Sequence, residues 1–215
     1  YEALAKIRPA FGGVQTGGNS SAIVDGAAAA LIASGDYAKS RTGKPLARVA
    51  AVATVGVPPE IMSIGPAPAI RKLLDGVGLA LDAVDRFEIN EAFAAQVMGV
   101  ERELKLDRSK LNVNGGAIAI GHPLAATGVR LAVTLARELQ RSQKKYGVAS
   151  ACIGGGQGIA VLLENPNQKN DARRNSPLKS GAEINFKRRP IKRLLIHRAG
   201  MQEFQLGVMQ SDVRG

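Results

Sequence analysis

The 215 residues predict an α/β layered fold with a mostly parallel sheet and a terminal antiparallel hairpin, followed by a basic tail. Three observations carry this. Between residues 47 and 141, short apolar runs rich in Val, Ile and Phe alternate three times with longer segments whose large side chains recur every three to four positions. Two further apolar runs flank a Gly-rich turn between residues 146 and 164. The composition is 45% hydrophobic with 25 Gly but only five Phe, three Tyr and no Trp, so the core must be built from small aliphatic side chains. A chain this long holds one ordinary domain plus some attachment.

Taken in order, residues 22–33 (AIVDGAAAALIA) form an apolar run that fits a buried strand or a helix and ends at a Ser34-Gly35-Asp36 turn signal. Residues 47–55 (ARVAAVATV), with one charge, read as a strand covered on both faces. After a loop, Pro66 and Pro68 open a helix with Ile70, Leu73, Leu74 and Val77 on one face and Gly78 as its stop. Residues 85–90 (DRFEIN) then read as a strand, and 91–105 as a helix with Phe93, Val97, Val100 and Leu104 on one stripe. In the third step, 111–114 (LNVN) is a short strand, and 123–141 a helix with Leu124, Gly128, Leu131, Leu135 and Leu139 aligned. Residues 146–152 and 158–164 close the pattern as a hairpin. From Pro166 the large apolar residues thin out, which predicts disorder broken at most by a short helix near 191–204.

Charge is unevenly placed. Residues 1–165 carry 18 Lys and Arg against 14 Asp and Glu, a net of +4, whereas residues 166–215 carry 11 against 4, a net of +7. Basic clusters at Arg173-Arg174 and Lys187-Arg188-Arg189 suit phosphate contacts, but without aromatic platforms they read as solvated charge, so nucleic acid is not the expected partner. No apolar run approaches the roughly 18–20 residues that cross a bilayer, and the first segment lacks a signal layout, which predicts a soluble, cytoplasmic chain with no membrane partner. The first residue is Tyr, compatible with a processed chain or a fragment. One Cys (Cys152) and two His (His122, His197) exclude an internal disulfide and nearly exclude a zinc site, so no metal is expected.

Three polar constellations fall just past predicted strands, where α/β folds place ligands. Asn90 stands at a strand-to-helix switch, where its amide either caps the helix or holds a water or substrate oxygen. His122 follows a Gly-rich loop and precedes Pro123, read as the first helical residue; the helix dipole there disfavours imidazolium, leaving a neutral ring that donates to a carbonyl, takes a proton from a thiol, or is simply packed. Cys152 ends a strand just before Gly154-Gly155-Gly156. Packing preference alone makes it a core residue, while the successive glycine amides favour an oxyanion site.

In this order the segments resemble the thiolase family, the acetyl-CoA acetyltransferases and 3-ketoacyl-CoA thiolases. The resemblance runs from about residue 1 to 165, through 4–11 (LAKIRPAF), 18–32 (GNSSAIVDGAAAALI), 53–69 (ATVGVPPEIMSIGPAPA), 90–96 (NEAFAAQ), 112–128 (NVNGGAIAIGHPLAATG) and 152–158 (CIGGGQG). It implies that His122 activates a nucleophile and lines an oxyanion hole, that Asn90 holds that hole's water, that Cys152 is the acid/base cysteine, and that Gly154 lends an amide to a second hole. Ser21, Met62 and Phe93 match positions along the pantetheine and acyl channel. The implied chemistry is Claisen condensation or thiolysis of 3-ketoacyl-CoA, with coenzyme A thioesters as substrates, no permanently bound cofactor, and a homo-oligomeric parent enzyme.

The same resemblance divides the chain into 1–40, the remnant of a thiolase N-terminal domain; 41–165, the C-terminal domain; and 166–215, a tail with no thiolase counterpart, suggestive of a frameshifted or read-through extension. Thiolases use two cysteines, and the acylated one lies in the N-terminal half, which is missing here. The chain alone is therefore expected to be inactive. A non-catalytic acyl-CoA-binding or structural remnant is the alternative. A ketosynthase is the lesser rival, because that class replaces the second cysteine with histidine.

Overall fold

The computed structural model describes residues 2–10, 12–41, 44–168 and 178, all within a compact unit spanning residues 1–184. Its elements are α1 (Glu2–Ala5), α2 (Gly35–Lys39), β1 (Arg48–Gly56), α3 (Pro66–Val77), β2 (Arg86–Ile89), α4 (Ala94–Leu104), α5 (Ala117–Ile120), α6 (Leu124–Arg141), β3 (Tyr146–Ile153) and β4 (Gln157–Glu164). Single turns of 3-10 helix at Pro59–Ile64, Leu81–Ala83 and Arg108–Lys110 join them. The expected disorder of the tail and the expected helix near 191–204 fall almost wholly outside the described residues.

Helix α3 forms where the pattern requires it. Proline sits in its first turn, where no N–H is missed, and Gly78 closes it at φ 67°, a left-handed conformation. Ile70, Leu73, Leu74 and Val77 are all buried, each worth about 1.5–3 kcal/mol over an exposed position. In α4, Val97, Val100 and Leu104 are buried, while Phe93 precedes the helix in extended conformation. In α6, Leu131, Leu135 and Leu139 face the sheet, but Leu124 and Gly128 are exposed, the buried side of the first turns being Ala126 and Thr127.

Phe87, Ile89, Val148, Ala160 and Leu162 share one cluster with α3 and α4, whereas Ala149 and Leu163 pack with Leu131, Leu135 and Leu139 of α6. Alternate residues of β3 and β4 thus feed opposite faces, and the unit is a three-layer α/β/α sandwich.

The sheet is mixed, with order β1-β4-β3-β2. The expectation of a mostly parallel sheet needs correction: only β2 and β3 pair in parallel, and β4 runs antiparallel to both β1 and β3. Strands β1, β2 and β3 still point the same way, as helical crossovers demand. The hairpin strand β4 takes the place between β1 and β3, which converts two ladders to antiparallel ones.

Three further expectations change. Residues 22–33 are neither strand nor helix, and Ile23, Leu31 and Ile32 are 82%, 89% and 83% exposed, since no neighbouring strand or helix among the described residues covers them. Strand β1 is covered on one face only. As an edge strand it turns Ala51, Ala53 and Val55 inward and leaves Val49 and Val52 exposed. Residues 111–114 make a single bridge, Leu111 to Phe87, and then a turn with Asn112 at φ 45°. The Asn112 carboxamide takes over the pairing: its Oδ1 accepts from Ile89 N–H (2.8 Å) and its Nδ2 donates to Ile89 C=O (2.9 Å).

Candidate active site

The carboxyl ends of β1, β2 and β3 lie at one end of the sheet, together with the tip of the β3–β4 hairpin. Asn90 follows β2 directly, is buried, and donates its backbone N–H to Ser150 C=O on β3 (2.9 Å). Cys152 lies two residues further along β3, paired with Gly158 of β4. Gly154 opens the three-residue hairpin loop, in which Gly154 and Gly155 are exposed and Gly156 is buried, with Gly155 and Gly156 at φ 85° and 90°. The loop after β1 meets this tip, where Val57 N–H donates to Gly156 C=O (2.8 Å).

His122 reaches the same end from the loop between α5 and α6. The cap of α6 is Pro123 itself, so His122 lies one residue outside the expected cap position; Pro123 adopts extended ψ and leaves the first helical turn to Leu124. The ring has two partners. Asn90 Nδ2 lies 3.3 Å from Nε2, and Thr127 Oγ1 lies 2.6 Å from Nδ1. Thr127 spends its one proton on Pro123 C=O (3.0 Å), so Nδ1 carries the ring proton and Nε2 offers a lone pair toward Asn90. Burial, and secondarily the Arg130 guanidinium, hold His122 below its ordinary pKa, which keeps the ring neutral. Asn90 Oδ1 is buried with its acceptor capacity uncommitted among the described residues.

Burial pushes the Cys152 thiol above its ordinary pKa, only partly offset by a backbone hydrogen bond. It is therefore a protonated thiol at neutral pH, inert as a nucleophile until something takes its proton.

Of the positions expected along a channel, Ser21 and Phe93 come together. Ser21 N–H and Oγ–H both donate to Ala92 C=O (3.0 and 3.2 Å), and Ser20 bridges Phe93. One residue on, Ala22 C=O accepts the His122 N–H (2.8 Å), so segment 19–22 laces the start of α4 to His122. Met62 is half-buried in the 3-10 turn Pro59–Ile64, which packs on β3, β4 and α4 and places it at the same end without a direct bond to the others.

Three residues inside the quoted motifs carry parts not assigned from sequence. Glu91 accepts from Asn112 Nδ2 (3.0 Å) and Ile118 N–H (3.1 Å), pinning the loop that ends in His122. Gly116 leaves room for the Glu91 carboxylate, which a Cβ there would displace from its partners. Thr127, five residues past His122, fixes the ring tautomer. Their sequence signal was only residue type, a polar group beside a Gly-rich loop. Among the described residues no group of His, Cys, Asp and Glu is arranged to hold a metal, and no helix is long and apolar enough to cross a membrane.

Residues 43–165 match a family described as "Thiolase, C-terminal domain". The chain is similar to a mitochondrial 3-ketoacyl-CoA thiolase of Bos taurus, 53% identical over 166 residues that cover 76% of this chain and 42% of that protein. It is 52% identical over 167 residues to an acetyl-CoA acetyltransferase of Paracoccus denitrificans, covering 77% and 43% respectively. The crystal structure of human mitochondrial 3-ketoacyl-CoA thiolase in complex with CoA superposes with a TM-score of 0.70 at 46% identity, covering 76% of this chain and 42% of that one. The chain thus spans less than half the length of these relatives.

Proposed function

Because the chain belongs to the thiolase family and carries its C-terminal domain, we propose that it supplies the acid–base and oxyanion-binding part of an enzyme that makes or cleaves 3-ketoacyl-CoA. The contact between Asn90 and His122, 32 positions apart, at the strand end that also carries Cys152, supports this reading best.

The difficulty in Claisen chemistry is that a thioester α-carbon is a very weak acid. Removing its proton needs a base at hand and donors aimed at the enolate oxygen. In the proposed forward direction, acyl transfer from a first acyl-CoA to a second cysteine releases a CoA thiolate that takes the Cys152 proton, and the Cys152 thiolate so formed takes the α-proton of the next thioester. The resulting enolate carbon forms a C–C bond to the carbonyl carbon of an acyl group held as a thioester on a second cysteine. The tetrahedral oxyanion draws on the Gly154 amide, the C–S bond breaks, and the departing thiolate regains its proton from His122. His122, with its Nε2 lone pair, accepts the proton of that second cysteine when it is acylated; the ring then donates from Nε2 to the enolate oxygen. Asn90 holds a water with its uncommitted Oδ1.

The chain has one Cys, so the acylated cysteine must come from a segment outside it. Residues 1–40 are then the end of a preceding N-terminal domain, 41–165 the C-terminal domain, and 166–215 an appended tail. Coenzyme A thioesters are the substrates, with Ser21, Met62 and Phe93 along their channel, and no other cofactor is needed. The parent enzyme is a homo-oligomer in the cytoplasm. Exposed apolar side chains in 22–33 and on β1 suit the first claim, and a lone free thiol, which persists in a reducing compartment, suits the second.

The test mixes this chain with a separately expressed thiolase N-terminal half bearing its nucleophilic cysteine and follows thiolysis of a 3-ketoacyl-CoA. Turnover is expected from the mixture only, and loss of it with Cys152→Ser or His122→Ala. Turnover unaffected by either substitution, or turnover by the chain alone, overturns the assignments. CoA binding without turnover in the mixture selects the non-catalytic remnant.

A further inference from the structure

The loop that ends in His122 has little apolar anchorage. None of residues 112–120 joins either apolar cluster among the described residues, and Val113, Asn114, Ala119 and Ile120 are exposed. Its backbone turns through left-handed glycines on either side of α5, Gly115 at φ 81° and Gly121 at φ 91°. Ala119 and Ile120 N–H both reach Gly116 C=O (3.1 and 3.2 Å), and Gly121 N–H reaches Ala117 C=O (2.8 Å), so these bonds stay inside the loop. Among the described residues, the one hydrogen bond that leaves 116–120 runs from Ile118 N–H to Glu91 Oε2 (3.1 Å). Glu91 Oε1 accepts from Asn112 Nδ2 (3.0 Å), and the Asn112 carboxamide is clamped to both backbone groups of Ile89. The carboxylate is seated where Gly116 has no side chain: a Cβ there would fall on its carboxyl carbon and both oxygens. Glu91 follows Asn90 in the chain, and Ile118 lies four residues before His122. One carboxylate thus joins both sides of the 3.3 Å contact between Asn90 and His122.

We propose that Glu91 is a positioning residue for His122: its carboxylate, seated in the space that Gly116 leaves, sets the approach of the imidazole to Asn90 and Thr127 by holding α5 against the end of β2. A carboxylate suits this task, because it accepts hydrogen bonds on two oxygens at once from donors on separate segments, and each such bond is charge-assisted. An amide of the same size has one acceptor oxygen and turns its NH2 toward either the Ile118 N–H or the Asn112 NH2, where donor meets donor. Asn112 cannot turn to accommodate it, since its oxygen and nitrogen are both committed to Ile89. The loop then keeps its internal bonds but loses its fixed distance from β2, and the imidazole at its end loses its fixed place between Thr127 and Asn90.

The proposal rests on the role given to His122 above, but its test reads the ring and not turnover, so the two can fail separately. In the 15N-labelled 215-residue chain, His197→Gln assigns the imidazole resonances of His122. The unmodified chain is expected to show the Nδ1–H tautomer. Glu91→Gln and Gly116→Ala should each lower the ratio of Nδ1–H to Nε2–H roughly threefold to tenfold, as when a hydrogen bond of ordinary strength is lost. The double variant should be no worse than the more severe single one, because both substitutions unseat the same carboxylate. Glu164→Gln is the control for lost stability: it alters a carboxylate held by Arg48 and Lys145 at the opposite end of the sheet and should leave the ring unchanged. A tautomer ratio unchanged in folded Glu91→Gln and Gly116→Ala, effects that add in the double variant, or an equal change in Glu164→Gln overturns the proposal. Should Gly116→Ala not fold, Glu91→Gln, which keeps the size of the side chain, decides by itself.

Discussion

Gly158→Ala is the sharpest perturbation available near Cys152. Gly158 pairs with Cys152 across the hairpin, and a Cβ there would lie 2.8 Å from Gly65 Cα and nearer still to the Gly65 carbonyl. The approach is mutual, because a Cβ on Gly65 would lie 2.6 Å from Gln157 O. Carbon contacts are comfortable only from about 3.5 Å, so α3 and β4 would have to separate by about 1 Å. No rotamer can absorb this, since the clashing atoms are backbone. Helix α3 cannot drift freely either, with Ala67, Ala69 and Ile70 fully buried just beyond. Overpacking costs about 1–3 kcal/mol, and this case belongs at the upper end. At roughly 2–4 °C per kcal/mol for a unit of this size, Tm falls by about 6–12 °C. Gly154→Ala is the control: a Cβ there meets nothing within 4 Å and φ is not positive, so the expected change is under about 0.5 kcal/mol. Thermal melts by circular dichroism and urea titrations read both. Equal stabilities for the two variants would refute the reasoning.

Thr127→Val keeps the shape and removes the acceptor for His122 Nδ1–H; a cost of about 1–2 kcal/mol and a shift toward the Nε2–H tautomer are expected, read by urea unfolding and 15N chemical shifts. Glu88 gives a signed pH dependence. Its folded pKa of about 7 exceeds the ordinary 4.5, so its contribution to stability is fully present below 4.5 and is lost as pH rises through 7. At 1.36 kcal/mol per pH unit the loss is about 3 kcal/mol, and Glu88→Gln should remove that slope in urea titrations at pH 4–8. His122 acts oppositely, its lowered pKa costing stability as pH falls below the ordinary 6.5. Alkylation of Cys152 by iodoacetamide should accelerate about tenfold per pH unit to beyond pH 9, and a plateau below pH 8 would contradict the raised thiol pKa.

The legible parts of the fold were those set by local pattern. The stripe Ile70, Leu73, Leu74, Val77 announced α3 because one amphipathic face must be buried whatever it packs against, and the Gly154–Gly156 turn announced the hairpin because two of its residues need positive φ. The apolar run 22–33 was ambiguous for a complementary reason. Alanine-rich sequence suits any covered conformation, and only a partner surface selects one. Of the candidate site, residue types at strand ends drew attention to Asn90, His122 and Cys152. Thr127, Glu91 and Asn112 escaped, because a threonine within a helix and a glutamate or asparagine in a loop look like ordinary surface residues until their partners are known.

Taken alone, the amino-acid order determined the alternation of strand and helix, the lone thiol, and the glycines at which backbone comes close to backbone. Periodicity and residue size are properties of neighbours along the chain. Only the tertiary structure decided that β4 slips between β1 and β3, that the Asn112 carboxamide pairs with β2 in place of a strand, and that Thr127 and Asn90 grip the two nitrogens of one imidazole. Those outcomes depend on which edge is free, which side chain is dehydrated and which donor has no other acceptor, and each is settled only when distant segments meet.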